Sequence, residues 1–159
     1  MADLAIIYQW ENDSRIRAVS EFRQPVSAFA VEQYILSCHT DPFQSGQIRL
    51  MAVLKSSVAV VGHVDLFEVN ALHRRAGIGI LLEPEERGKG YATEILSMVE
   101  GWGSEHLGLH QLWCQIALPN PRSIQLFTHA GYTKIGTLKE WFRSNKTWAD
   151  TVIMQKILR

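Results

Sequence analysis

The sequence has little cysteine, no excess of either charge and no long apolar run. Its two cysteines, Cys38 and Cys114, are too few for a disulfide scaffold. Both fall in segments of apolar periodicity, which suits buried, reduced thiols. Sixteen Lys and Arg balance sixteen Asp and Glu, so the chain lacks the basic surplus of a nucleic-acid binder. Nothing approaches the ~20 apolar residues that cross a bilayer. The first residues lack the basic-then-apolar order of a secretory signal. These absences predict a soluble cytoplasmic protein that binds neither nucleic acid nor membrane. What is present is 159 residues with 47% hydrophobic and 20% charged side chains, the profile of one globular domain spanning 1–159. Charge is uneven along it. Residues 1–70 carry eight acids and five bases (−3), and residues 71–159 eight acids and eleven bases (+3). That division suits an anionic ligand on the C-terminal half and a cationic one facing the N-terminal half.

Periodicity gives the element order. Leu4, Ile7 and Tyr8 predict a short first helix. Ser27 can cap a second, with Val31, Tyr34, Ile35 and Cys38 on one face and Thr40-Asp41-Pro42 as its stop. Ile48–Leu54 and valine-rich Val58–Phe67 predict a hairpin around Lys55-Ser56-Ser57. Ala76–Leu82 predicts a third strand. Its interior Gly77 and Gly79 mark a bulge or a place where a ligand meets the backbone. Ala92, Ile95, Leu96, Val99 and Trp102 then trace an amphipathic helix over about Gly90–His106. A strand at Gln111–Ala117 follows, then a helix capped by Asn120 with Pro121 at its first position and Gly131 past its end. Two strands, Tyr132–Trp141 and Thr147–Leu158, close the chain around Ser144-Asn145-Lys146. This is an α+β order rather than a strict βα alternation.

Chemistry concentrates in Glu83–Thr93, between the third strand and the amphipathic helix. Gly88 and Gly90 expose backbone N–H groups at a helix N-terminus, where the helix dipole favours phosphate oxygens. Arg87 and Lys89 add full positive charges. A P-loop does not fit, because Gly88-Lys89 is followed by Gly90 rather than Ser or Thr. A dinucleotide fingerprint does not fit either. Its third glycine would be Thr93, and no acid stands near Gln111.

Arg87, Gly90 and Ala92 form Arg-x-x-Gly-x-Ala, which resembles the pyrophosphate signature of the GNAT superfamily of acetyl-CoA-dependent N-acetyltransferases. Asn120-Pro121-Arg122-Ser123 resembles its Asn-x-x-Ser. Phe127-Thr128-His129-Ala130-Gly131-Tyr132 resembles its aromatic-x-x-x-Gly-Phe/Tyr ending. Trp148-x-Asp150 and Met154 resemble the closure found in its ribosomal-protein and polyamine branches. Glu68–Ala76 resembles bacterial spermidine N-acetyltransferases, and the likeness runs from about Tyr8 to Leu158. It implies a mixed, mostly antiparallel sheet flanked by helices, with a splayed central strand. The family's opening strand is missing or very short here, which leaves a sheet edge to cover.

The resemblance implies acetyl-CoA as cosubstrate and a small-molecule amine as partner, in a homo-oligomer, with no metal. Pantetheine would pair with the backbone of Ile80, Leu81 and Leu82, and pyrophosphate would sit on the amides of Arg87, Gly88, Lys89, Gly90, Tyr91 and Ala92. Asn120 would meet the pantetheine amide, with Ser123 and Phe127 lining the same slot. Asn120 also suits a plain helix cap, and Phe127 plain core packing. Backbone N–H groups near the strand bulge would hold the oxyanion. Glu68 would act as base, with His73 second, although a solvated acid at a strand end reads the same. Phe127 stands where spermidine acetyltransferases place an acidic tyrosine. Gly77 falls near where such enzymes carry another carboxylate. Asp65, Glu68, Glu11, Asp13 and Glu32 remain as acids for a cationic acceptor, and Trp10, Trp141, Phe142 and Trp148 as aromatic walls. Three functions follow: acetylation of a small cationic amine such as a di- or polyamine, acetylation of a protein N-terminus, and a CoA-binding module without catalysis.

Overall fold

A computed structural model describes residues 3–17, 24–37, 41–144 and 147–159. They form two compact units, Met1–Ser45 and Gly46–Arg159. Cys38, Thr40, Asn145 and Lys146 lie outside the described residues.

The first unit holds helices α1 (Leu4–Asn12), α2 (Ser14–Arg17), α3 (Ala28–Ser37) and α4 (Pro42–Ser45). Ser27 caps α3 as expected, its Oγ accepting from the Ala30 amide at 3.1 Å. Asn12 ties the end of α1 to the approach of α3. Its Nδ2 donates to the carbonyls of Tyr8 and Val26, and its Oδ1 accepts from the Val26 amide. The inner stripe of α1 differs from the expected one. Ile7 and Trp10 are buried while Tyr8 is 42% exposed. Spacing i, i+3 and i, i+4 are both helical, and the larger apolar body of Trp10 takes the interior. Trp10 is therefore a core residue and not an aromatic wall.

The second unit holds β1 (Gln47–Val53), β2 (Val60–Asn70), β3 (Arg75–Leu82), α5 (Tyr91–Glu105), β4 (Gln111–Ala117), α6 (Pro121–His129), β5 (Thr133–Ser144) and β6 (Thr147–Ile157). The sheet order is β1-β2-β3-β4-β6-β5. Among the described residues only β3 and β4 run parallel. This is the expected α+β sheet, and among the described residues no strand precedes β1. One boundary differs. The valine-rich run puts Val58 in a strand, but Val58 is 76% exposed with φ 57°. The turn closes instead through Val58 N–H to Leu54 O and Leu54 N–H to Ala59 O.

One ion pair identifies the two faces of the sheet. Glu100 on α5 is only 7% exposed because Lys156 of β6 reaches it, Nζ to Oε2 at 2.5 Å. Lys156 stands opposite Leu112, and Leu112 opposite Ala76. Since side chains alternate along strands, α5 covers the face of Leu66, Ala76, Ile78, Leu112, Cys114 and Met154. Each of these is at most 2% exposed and they form the core. Burial pushes the Cys114 thiol up to about 12, so it stays a protonated packing group, as expected. Lys156 also donates to the Ala130 carbonyl at 2.6 Å and lies over the Tyr132 ring. It thereby pins the end of α6 to the sheet. The Tyr132 hydroxyl lies beside Glu100 without meeting hydrogen-bond geometry, and burial, then the Glu100 charge, holds its pKa far above the usual phenol value.

The opposite face carries the polar cluster of β1 and β2. Arg49 grips Asp65 with Nε at 2.7 Å and Nη2 at 2.8 Å. His63 is buried beside them, its Nε2 3.6 Å from Asp65 Oδ2. Burial and then the Arg49 charge lower its pKa from 6.5 to about 4, against the pull of Asp65. The unfolded chain therefore binds a proton below pH 6.5 that the native one refuses until about pH 4. Stability from this group is full above pH 6.5 and is lost as pH falls toward 4, by on the order of 3 kcal/mol. Urea midpoints should thus drop between pH 7 and 4.5, and His63→Gln should flatten that drop. An equal slope in the variant would remove His63 as its source.

Candidate active site

The sheet opens at its centre. β3 and β4 pair only at Arg75–Gln111, Ala76–Leu112 and Gly77–Trp113. Beyond that rung the strands part. Ile80, Leu81 and Leu82 keep Val64, His63 and Gly62 as partners in β2. Cys114–Ala117 keep Met154–Thr151 in β6. The inner edges of β3 and β4 are left facing each other across a gap, with main-chain groups able to hydrogen-bond an inserted extended ligand.

The upper end of β3 runs into a phosphate-type turn. Pro84–Glu86 make one 3-10 turn, and Gly90 caps α5. Gly88 has φ 81° and Gly90 φ 85°, both left-handed, which favours glycine at each position. A Cβ at either would meet no protein atom within 4 Å, so open space lies where the backbone turns. The Arg87 amide bonds Pro84 O and the Thr93 amide bonds Gly90 O. The amides of Gly88, Lys89, Gly90, Tyr91 and Ala92 lie between these two and form a cradle at the positive end of a 15-residue helix. The cations are less available than the sequence implied. Arg87 Nε donates to Leu82 O at 3.1 Å, fastening the turn to β3. Lys89 pairs with Glu86 at 2.9 Å, and that hydrogen bond holds its pKa above the ordinary lysine value. An anion placed on this cradle would meet backbone amides and the helix dipole first.

Helix α6 borders the end of β4. The Asn120 side chain accepts from the Ser123 amide at 3.1 Å, a cap, while both side chains remain half-buried. Phe127 is 3% exposed and meets Tyr132 edge-on at 4.9 Å between centroids. Glu68 sits in a bulge, between the rungs Phe67–Gly77 and Asn70–Arg75. Its φ of 49° turns it out of the strand, where its side chain is exposed. His73 is exposed in the next turn, with its amide on Asn70 Oδ1. The fold thus brings the expected cofactor residues to the gap, the cradle and the helix bordering it, and Glu68 and His73 to the closed end of the gap. Trp141 and Trp148 are each 58% exposed, and Phe142 is half-buried.

A family model described as Acetyltransferase (GNAT) domain matches residues 1–133. The chain belongs to the GNAT acetyltransferase family. It is similar to the spermidine N(1)-acetyltransferase of Vibrio cholerae, 27% identical over 148 residues covering 93% of this chain and 83% of that protein. The Escherichia coli K12 spermidine N(1)-acetyltransferase is 29% identical over 152 residues, covering 96% and 79%. A crystal structure of the Vibrio cholerae spermidine N-acetyltransferase with CoA and spermine superposes with a TM-score of 0.89 at 26% identity, covering 99% of this chain and 90% of that one.

GNAT acetyltransferases use acetyl-CoA, and the residues present here fit it. The glycine cradle has room for phosphate oxygens, and the open edges of β3 and β4 suit an extended amide-bearing arm. Sequence reasoning missed two features of this GNAT acetyltransferase. One is the Phe67–Trp113 pair, and the other is the neutralisation of Asp65 by Arg49. Strand parity relates Asp65 to Phe67 within β2, but only the register sets Arg49 opposite Asp65 and Trp113 across Gly77 from Phe67. Gly90→Val should lower CoA affinity at least about tenfold by filling the cradle. The left-handed φ should also cost about 1–2 kcal/mol of stability. Lys89→Ala should keep affinity within about threefold, since Glu86 already holds that charge. Calorimetric titration of both variants checks the ordering. Equal losses would shift the binding from the amides to the cations.

Proposed function

We propose that this enzyme transfers the acetyl group of acetyl-CoA to the primary amine of a small cationic molecule, by direct attack in a ternary complex. The observation that carries it is the parting of β3 from β4 below a glycine cradle, with an exposed carboxylate, Glu68, at the closed end of the gap. Ile80, Leu81 and Leu82 offer main-chain groups to the pantetheine arm, and the amides from Gly88 to Ala92 hold the pyrophosphate. Arg87 keeps the cradle in place through Leu82. Asn120 and Ser123 border the arm and also cap α6. Bound acetyl-CoA supplies the activated thioester carbonyl. Main-chain N–H groups on the β3 edge of the gap are the donors for charge developing on the carbonyl oxygen. Glu68 attracts the ammonium and takes its proton, directly or through water. The 1–159 chain works as one acetyltransferase domain, in the cytoplasm, as a homo-oligomer. The relatives' names make spermidine the reference acceptor for any assay.

Phe127 favours a second reading, a CoA-binding module without turnover. It stands at the position of the family's acidic tyrosine and packs against Tyr132. Tyr132 is no substitute, because its hydroxyl faces Glu100 in the core and its phenol is held protonated far above the usual range. Under the first reading the thiolate leaves unaided, which a thiol pKa of about 8.5 permits.

Glu68→Gln should leave the KM for acetyl-CoA unchanged and lower kcat by on the order of 10²-fold or more. Full activity across pH 6–9 would remove Glu68 as base and as anchor. Phe127→Tyr separates the two readings. In a working enzyme, a phenol reaching the sulfur raises turnover, most below pH 8. A lower Tm, by about 1–3 kcal/mol of stability, with no rate gain would assign Phe127 to packing alone.

A further inference from the structure

The face of the sheet away from α5 has an aromatic floor at the closed end of the gap. Phe67, Gly77 and Trp113 stand on adjacent rungs of β2, β3 and β4. The Phe67 ring takes the space beside Gly77, so that a Cβ there would come within 2.2 Å of its Cε2. Phe67 and Trp113 meet edge to face at 5.3 Å and 79°. Both remain half-buried. Gly79 leaves further space, its would-be Cβ 3.9 Å from the same ring. Trp141 extends the floor, its Nε1 donating to Gln115 Oε1 of β4 at 3.2 Å.

The charges on this face do not suit a polycation. Its strand positions from β1 to β6 alternate through Gln47, Arg49 and Met51, then His63, Asp65 and Phe67, then Arg75, Gly77, Gly79 and Leu81. They continue through Gln111, Trp113 and Gln115, and Ile153 and Gln155. Asp65 is the one acid among these described positions, and both its oxygens are taken by Arg49. His63 is buried and neutral at physiological pH. Each extra ammonium brought onto such a surface loses water without gaining a carboxylate. Glu68, turned out of the strand beside Phe67, supplies one negative charge and no more.

We infer that the preferred acceptor is a primary monoamine with a flat apolar body, an aralkylamine, its ammonium at Glu68 and its ring on Phe67 and Trp113. The inference rests on the acetyl-transfer reading and narrows its acceptor. Rings prefer offset or edge-on partners, and the open space at Gly79 beside the T-shaped pair leaves room for a third ring.

The test is a set of kcat/KM values with acetyl-CoA for 2-phenylethylamine, tryptamine, spermidine and spermine. The aralkylamines should exceed the polyamines by tenfold or more. Phe67→Leu and Trp113→Leu should raise the aralkylamine KM several-fold, leave the CoA dissociation constant unchanged and narrow the ratio to spermidine. Spermidine turned over as well as or better than the aralkylamines overturns the inference and leaves acetyl transfer standing. CoA binding without acetylation of any of the four amines overturns both. Unchanged aralkylamine KM in two folded variants removes the aromatic pair as the determinant, whatever the panel shows.

Discussion

The constraint on which this enzyme depends is the single parallel contact in its sheet. Parallel pairing of β3 with β4 stops after Gly77–Trp113, because each strand follows its antiparallel partner beyond that rung. A continuous ladder would satisfy every main-chain group and leave no room for a ligand. Stopping it exposes two edges inside the sheet, where they cannot recruit another strand at random. The candidate site is arranged around that opening. The glycine cradle lies at its upper end, α6 borders β4, and the bulge with Glu68 lies at the closed end.

Holding the opening requires the rest of the unit to be stiff. The core of Leu66, Ile78, Leu112 and Met154 fixes the strands from the α5 side. The Glu100–Lys156 pair links α5, β6 and the end of α6. A buried charge pair is weak evidence for stability, since desolvation offsets much of the attraction. Its role here is better read as positioning, because Lys156 serves the carboxylate and the Ala130 carbonyl together. At the far end of the sheet, Asp150 accepts from the Glu140 amide and pairs with Lys139, which fixes the bulge of β5 and holds the Asp150 carboxyl below its usual value.

The glycines divide by what surrounds them. Gly88 and Gly90 face open space and adopt left-handed φ, so their absent side chains leave that space unfilled by protein. Gly77 faces the Phe67 ring, so its absent side chain makes room for a neighbour. Interior glycine in a strand suggests close approach, but the sequence does not say of what. The register supplies the answer. It sets the Phe67 ring against Gly77, near where the resemblance implied a further carboxylate.

Much of the enzyme is legible in the sequence through local chemistry. Helix caps at Ser27 and Asn120, the glycine-rich turn, the stripe on α5 and the alternation of β4 are all short-range effects, and each stands where periodicity and capping place it. Packing displaces two local expectations. Trp10 rather than Tyr8 turns inward, and Val58 goes to a turn, because burial volume and hairpin closure outweigh strand preference in a single valine. The sequence by itself determined the strands, the longer helices, their order and the glycine turn, though not the short helices α2 and α4, since those features need only neighbours along the chain. The tertiary structure alone decided where the ladder stops, which face carries Asp65, and that Arg49 and Phe67 would neutralise and cover the positions beside it. Those outcomes depend on register between strands far apart in sequence, and a one-residue slip would have turned each of these side chains to the other face.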